Sequence, residues 1–209
     1  MMKKMVDVHA VVQEDHFMGI PLERLRGKKR EAFIGYLSFN LYDPPPAASW
    51  GRYNDRVVNE EWIDKLVDDF TRHLDNCTSE DALEVVIKKE WIENVDDILM
   101  TVDDKTIQDV AELKFTEDAM AAIEPDKLEM LGGNHRRLAL KIYVDGLKAQ
   151  LENAQSQLKR TNTQAHKRSD ITGPIGQEVN ALEEKVKWLE RKLASSQHWV
   201  VGLYDIGTL

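Results

Sequence analysis

The sequence has little of several features that would place a protein in a familiar class. It contains one cysteine, Cys77, which excludes an internal disulfide and favours a reducing compartment. No apolar run approaches the roughly 20 residues of a membrane-spanning helix, and the N-terminal segment lacks the apolar stretch of a secretory signal. These absences predict an intracellular protein, cytoplasmic or nuclear, with no membrane partner.

The chain also has fewer basic than acidic residues. The chain has 28 Lys and Arg residues against 37 Asp and Glu, which gives a formal net charge of −9. Most of such a surface repels phosphate, so broad, non-specific binding to nucleic acid is disfavoured. One dense basic stretch stands at residues 24–30, with the sequence RLRGKKR, and we interpret it as a solvated loop.

Common catalytic and metal-binding motifs are missing as well. None of the six histidines has metal-ligand spacing, and neither a Walker-type motif nor G-x-S-x-G occurs. We therefore predict no metal site formed by protein ligands alone. What remains is a chain of 209 residues, 42% hydrophobic and 31% charged, which is the composition of an ordinary folded domain.

Residues 1–137 alternate between strand-like and helical patterns. Alternating β-branched runs predict strands, and apolar residues at helical spacing behind a cap such as Asn59 predict helices. Three consecutive prolines forbid both helix and ladder pairing, so they mark a linker. The predicted elements are strands at 7–13 and 82–92, a linker at 42–51, helices at 59–74 and 116–125, and a short buried strand at 127–131.

From residue 138 onward the periodicity changes to that of heptads. Apolar residues recur in steps of three and four in two series, 140–158 and 175–193. The break between them, at 169–176, contains glycine and proline and is expected to reverse the chain. We therefore predict an antiparallel coiled-coil hairpin at 138–197, followed by a strand at 198–206.

Two glycines join the buried strand to the first of these helices, in the segment KLEMLGGNHRRLAL. A helix N-terminus leaves backbone N–H groups without intrahelical acceptors, and its dipole favours an anion. Glycine lets a phosphate approach the backbone, and guanidinium groups suit phosphate oxygens. The alternative is a plain glycine turn whose arginines pair with surface carboxylates. The predicted phosphate-binding residues are Gly132, Gly133, Asn134, His135, Arg136 and Arg137.

The order of elements around this turn resembles the ParB/sulfiredoxin superfamily. ParB proteins carry Gly-Glu-Arg-Arg and sulfiredoxins carry Gly-Gly-Cys-His-Arg where this chain has Gly-Gly-Asn-His-Arg. The resemblance implies an α+β, mixed-sheet domain formed by residues 1–137 and 198–209, with the helical hairpin at 138–197 as an insertion. The other matching segments are the opening strand and turn at 20–25, the arginine loop and helix at 53–70, the central strand at 82–92 and the closing strand at 199–206.

In this superfamily the glycine turn binds the phosphates of a nucleotide, ATP in sulfiredoxins and CTP in ParB. The resemblance therefore implies a domain that binds ATP or CTP with Mg²⁺, with a capacity for NTP hydrolysis or phosphoryl transfer. It assigns a further phosphate contact to Arg56 in the preceding loop, with Asn54 and Arg52 as weaker candidates. The alternative for Arg56 is an ion pair with Glu60 or Glu61.

Departures from the family pattern leave open whether the protein is an enzyme. Asn134 stands at the position of the catalytic cysteine of sulfiredoxins, so we do not expect sulfinic-acid repair. The second nucleotide motif of ParB and a helix-turn-helix are not found after the closing strand. Free-serine kinases of the superfamily use a glutamate near the first strand as a base. Glu23 is the nearest candidate, and a solvated charge beside Arg24 is the alternative.

Two other classes of function compete with nucleotide binding. The first is a non-catalytic interaction module whose hairpin binds a protein partner or a second copy of the chain. Trp188 and Tyr143 are the aromatic residues expected to lie outside the heptad seam. The second is DNA-directed activity, of the ParB or nuclease kind, which the basic stretch at 24–30 supports and the net charge opposes.

Overall fold

The computed structural model describes residues 22–44, 48–49, 58–122, 128–130, 133–168 and 173–208. These ranges contain five strands and five α-helices, so the predicted α+β class is confirmed. The helices are α1 (Leu22–Ala32), α2 (Glu60–Arg72), α3 (Glu117–Ala122), α4 (Asn134–Arg168) and α5 (Pro174–Ser196). The strands are β1 (Phe33–Asn40), β2 (Ala48–Ser49), β3 (Leu83–Ile87), β4 (Leu128–Met130) and β5 (His198–Asp205).

The strands form one mixed sheet in the order β1-β5-β3-β4-β2. β5 runs antiparallel to β1 and parallel to β3. β4 is antiparallel to β3 and parallel to β2, so the two short strands extend the sheet at one edge. The three long strands are therefore its main part, with β5 in the middle.

Helices cover one face of this sheet because alternate strand residues point toward them. Leu83, Val85 and Ile87 of β3 are buried on that face. The ring of Phe70 in α2 lies 5.6 Å from Trp199 of β5 and 6.2 Å from Tyr143 of α4, measured between centroids. α5 packs along α4, and α2 packs on α4 as well. The main core therefore lies between the sheet and these three helices.

The opposite face of the sheet is covered by the segment at 98–113. Val102, Ile107 and Val110 form a second buried cluster with Val200, which alternates with the core-facing residues of β5. The Ser38 hydroxyl of β1 donates to the Val110 carbonyl at 3.0 Å. No helix in the described ranges is both long and apolar enough to cross a bilayer.

Long helices lie at both predicted heptad series, although their bounds differ from the prediction. α4 begins at Asn134 instead of residue 138, so the Asn-His-Arg-Arg residues form its first turn. α5 begins at Pro174, where a missing N–H costs nothing. Trp188 is 49% exposed, whereas Tyr143 is 6% exposed because Phe70 of α2 packs against it. Of the two aromatic residues predicted to lie outside the seam, only Trp188 therefore adds exposed apolar surface.

The N-terminal interpretation was also wrong where the structure describes it. Residues 24–30 lie in α1, not in a loop, and 22–25 are helical, not a strand and turn. Arginine, lysine and leucine favour helix, and one glycine is tolerated. Lys29 pairs with Glu84 of β3 and lies 5.3 Å from the Tyr204 ring centroid. The predicted strand at 7–13 lies outside the described residues.

Other boundaries were partly correct. β3 ends at Ile87, and a 3₁₀ turn at Lys89–Trp91 replaces the second half of the predicted strand. The linker prediction fails at Ala48–Ser49, which pair with β4. α2 begins where predicted, since the Asn59 side chain accepts a hydrogen bond from the Trp62 N–H at 3.2 Å. α3, β4 and β5 lie within their predicted segments.

Candidate functional site

The glycine turn is fixed by the fold at Gly133. This residue has φ of +90°, and a Cβ atom there would lie 2.5 Å from Cδ2 of Leu83 in β3. An L side chain would be strained by the dihedral angle and would collide with Leu83, so only glycine fits without displacement. The need for glycine at 133 therefore follows from packing, whether or not a ligand binds. Gly132, Arg56 and Asn54 lie outside the described residues.

The first turn of α4 retains the backbone donors that were predicted for an anion site. The Arg137 N–H donates to the Gly133 carbonyl at 2.8 Å, which is the first bond of the helical ladder. The N–H groups of Asn134, His135 and Arg136 therefore have no acceptor within the helix. They stand at the positive end of the dipole of a 35-residue helix, which favours an anion.

Arg136 is held by protein groups. Its guanidinium donates to the carbonyl and to Oδ1 of Asp81, each at 2.8 Å, and lies 5.6 Å from the Trp199 ring centroid. The same Asp81 carbonyl accepts a hydrogen bond from the Trp199 indole at 2.8 Å. Arg136 thus connects α4 to the segment before β3 and to β5. This is the carboxylate pairing that the sequence left as an alternative, and its contact with phosphate stays a prediction.

His135 joins the turn to the start of α2. Its Nε2 accepts a hydrogen bond from the backbone N–H of Asn59 at 3.1 Å. Since Asn59 caps α2, the N-termini of α2 and α4 lie side by side. Sequence reasoning missed this contact because the two residues are 76 positions apart and carry no shared motif.

The remaining side chains of the turn are partly accessible. Asn134 Oδ1 accepts a hydrogen bond from Nη2 of Arg137 at 3.4 Å. Asn134, His135, Arg136 and Arg137 are all half-buried, so each keeps part of its surface open to solvent. The turn therefore offers backbone N–H groups, an amide and cationic groups at one end of α4.

The candidates for nucleophile and base lie elsewhere in the chain. Cys77 is half-buried, and its pKa is raised by that burial first and then by the charges of Asp109, Asp75 and Asp103. Such a thiol is protonated at neutral pH and is a poor nucleophile. Glu23 lies on α1, and its side chain is outside the described part of the structure.

The described residues contain no group of three or more His, Cys, Asp and Glu side chains that could hold a metal ion. The turn itself presents donors, which suit phosphate oxygens and not a cation. A nucleotide would therefore have to bring Mg²⁺ on its own phosphates, with carboxylates near the turn as its protein contacts.

Comparison with known proteins finds no matching family model, no matching curated protein and no matching solved structure. The resemblance to the ParB/sulfiredoxin superfamily therefore stays a prediction that depends on the residues quoted above.

Proposed function

We propose that the adjacent first turns of α2 and α4 bind the phosphates of a nucleotide, ATP or CTP, in a ParB/sulfiredoxin-like domain. In this proposal residues 138–197, which hold most of α4 and all of α5, are the inserted antiparallel hairpin. The observation that carries it is the hydrogen bond from Asn59 N–H to His135 Nε2. It brings two helix N-termini together, so two dipoles favour an anion at one place.

Acidic residues beside the turn favour a nucleotide that carries Mg²⁺ over a bare phosphate. Glu60 and Glu61 are exposed in the first turn of α2 and add negative charge there. A cation bridging the phosphates would offset this repulsion, and carboxylate oxygens are ligands that Mg²⁺ accepts. We therefore expect binding to need Mg²⁺.

We expect Trp62 to stack against the base. It is 61% exposed and stands three residues after Asn59, so it lies on the same side of α2, one turn along. Helical side chains lean toward the N-terminus of their helix, which here is the end that meets His135. Stacking of a base on an aromatic ring contributes roughly 1–3 kcal/mol.

In the proposed chemistry the protein acts mainly by positioning the phosphates of the nucleotide. Backbone donors and Arg137 would orient the phosphates, and Mg²⁺ on the nucleotide would neutralise developing charge. Hydrolysis or phosphoryl transfer also requires a base, for which Glu23 is the candidate. Binding is therefore the part of the proposal to be tested first.

Calorimetric titration of the full chain with ATP, CTP, GTP and ADP, each with and without Mg²⁺, tests the site. Asn134→Asp adds a carboxylate among the phosphate donors while it suits a helix N-terminus, so the fold should persist. We expect it to weaken nucleotide binding at least about tenfold. Gln150→Glu makes the same charge change on an exposed part of α4 and should have no effect.

Three outcomes would count against the proposal in different ways. Absence of binding by the parent to any of the nucleotides would overturn it. Equal affinity in Asn134→Asp and the parent would place the nucleotide elsewhere. If Trp62→Ala lowers the affinity for tripolyphosphate as much as the affinity for ATP, Trp62 does not contact the base.

A further inference from the structure

α4 extends well beyond the part of the domain that packs on the sheet. Its 35 residues make it about 52 Å long at 1.5 Å per residue. α2 contacts the beginning of α4, where Asn59 meets His135 and Phe70 meets Tyr143. Further along, α5 is its main packing partner among the described elements. We use the name distal helix pair for residues 151–168 of α4 together with 174–184 of α5.

The seam of the distal helix pair is incompletely buried. Ala154 and Ala165 are buried, whereas the larger seam residues Leu158, Val179 and Leu182 are half-buried. Two helices alone leave the sides of their seam open to water, whereas a four-helix bundle encloses it. A groove with a volume of about 650 Å³ opens along the surface of α4 beside Leu158. Its lining residues are Gln155, Leu158, Lys159, Asn162, Thr163 and His166.

Charge is segregated between the two arms of the distal helix pair. Residues 151–168 contain four Lys and Arg residues and one glutamate, whereas 174–184 contain three glutamates and no Lys or Arg. Among the described side chains, no ion pair joins the basic arm to the acidic one. Lys159, Arg160 and Glu178 are exposed, so their charges can reach a second surface, whereas Glu184 pairs with Lys187.

We propose that two copies of this chain associate through their distal helix pairs into a four-helix bundle. The basic α4 arm of each copy lies against the acidic α5 arm of the other. Each copy carries one basic and one acidic arm, so two copies related by a twofold axis make this contact twice. The charges set the register, and burial of the half-exposed seam supplies the stability. The proposed nucleotide turn lies at the other end of α4, so the two proposals are independent.

Sedimentation velocity and light scattering of the full chain test this association over a range of concentrations. We expect a species of twice the 24.0 kDa chain mass, whose dissociation constant rises with salt. Reversal of the basic arm by Lys159→Glu with Arg160→Glu should raise the dissociation constant at least about tenfold. The control, Lys105→Glu with Lys114→Glu, makes the same charge change on exposed residues outside both helices and should leave it unchanged.

Mixing two charge-reversed variants separates the interface from a folding effect. Glu178→Lys with Glu183→Lys reverses the acidic arm and should also be monomeric, with helical circular dichroism retained. An equimolar mixture of the two variants restores both complementary contacts, so we expect a heterodimer. A parent that stays monomeric at every concentration would overturn the proposal. So would a dimer that neither reversal weakens, or a mixture that stays monomeric.

Discussion

Arg136 contacts Asp81 through two hydrogen bonds, and its guanidinium lies over the ring of Trp199. A planar guanidinium can donate both hydrogen bonds at once, whereas the ammonium group of lysine cannot match this geometry. The side chains of Arg136 and Asp81 are 32% and 39% exposed, so water screens the ion pair in part. A substitution of Arg136 therefore breaks a contact of the fold, whether or not this residue also contacts phosphate.

We expect Arg136→Ala to lower the free energy of unfolding by about 1 kcal/mol, because Asp81 loses both of its guanidinium donors. Arg136→Lys keeps the charge but cannot make both hydrogen bonds to Asp81. Its free energy of unfolding should therefore lie between those of Arg136→Ala and the parent. Urea denaturation of the three proteins measures the difference. An unchanged midpoint in Arg136→Ala would show that the contact contributes nothing. Reduced nucleotide binding in this variant would not by itself locate the phosphate, which is why Asn134→Asp is the sharper test.

At the scale of elements, the junction between β4 and α4 depends on one glycine. Gly133→Ala would place a methyl group against Leu83 at a φ that L residues avoid. We expect a loss of about 2–3 kcal/mol in the free energy of unfolding. Thermal and urea unfolding measure it.

The matched control lies within α4, the helix that follows Gly133. Gly146 is exposed within α4, and a Cβ atom there would meet nothing within 4 Å. Gly146→Ala should therefore raise the free energy of unfolding by about 0.5–1 kcal/mol, since alanine favours helix. If the two substitutions had similar effects, neither the dihedral angle nor Leu83 would constrain position 133.

Elements with strong local patterns could be predicted from the sequence. α2 shows its apolar spacing and its cap, α4 and α5 show heptads, and β5 is a continuous apolar run. β1 was missed because its sequence, FIGYLSFN, has a glycine in an otherwise apolar and aromatic run. α1 was missed because its charges looked like a solvated loop. The two-residue β2 exists only through its pairing with β4.

The candidate site was predictable only in its local part. The glycines and the first residues of α4 are adjacent in sequence, so their position at a helix start could be inferred. The bond between Asn59 and His135 and the pair of Arg136 with Asp81 join residues that are 76 and 55 positions apart. Such contacts are set by the packing of α2 and β3 against α4, which periodicity does not encode.

At the scale of the whole molecule, stability should fall in alkali. Burial, then Glu84, then Tyr36 raise the pKa of Tyr204 to about 12, against about 10 in an unfolded chain. The native state therefore holds this proton more tightly, and the stabilisation is fully present below pH 10. It is lost as the pH rises from about 10 to about 12.

We expect the free energy of unfolding of the parent to decrease over that interval more steeply than that of Tyr204→Phe, which has no phenol to ionise. Urea unfolding at several pH values measures the slopes, and absorbance at alkaline pH follows the phenols directly. Tyr42→Phe is the control, because Tyr42 donates to Asp145 near the surface, away from this sheet face. Equal slopes in Tyr204→Phe and the parent would contradict the prediction.

β5 lies between β1 and β3, although it follows both of them in the chain. During translation β1 and β3 therefore emerge from the ribosome with their inner edges unpaired. Their inner edges stay unpaired while both long helices are synthesised, at roughly 5–20 residues per second. Unpaired strand edges are templates for pairing with other chains. The nascent protein is thus exposed to misassembly for several seconds, and its yield in cells should depend on chaperones that shield strand edges until β5 arrives.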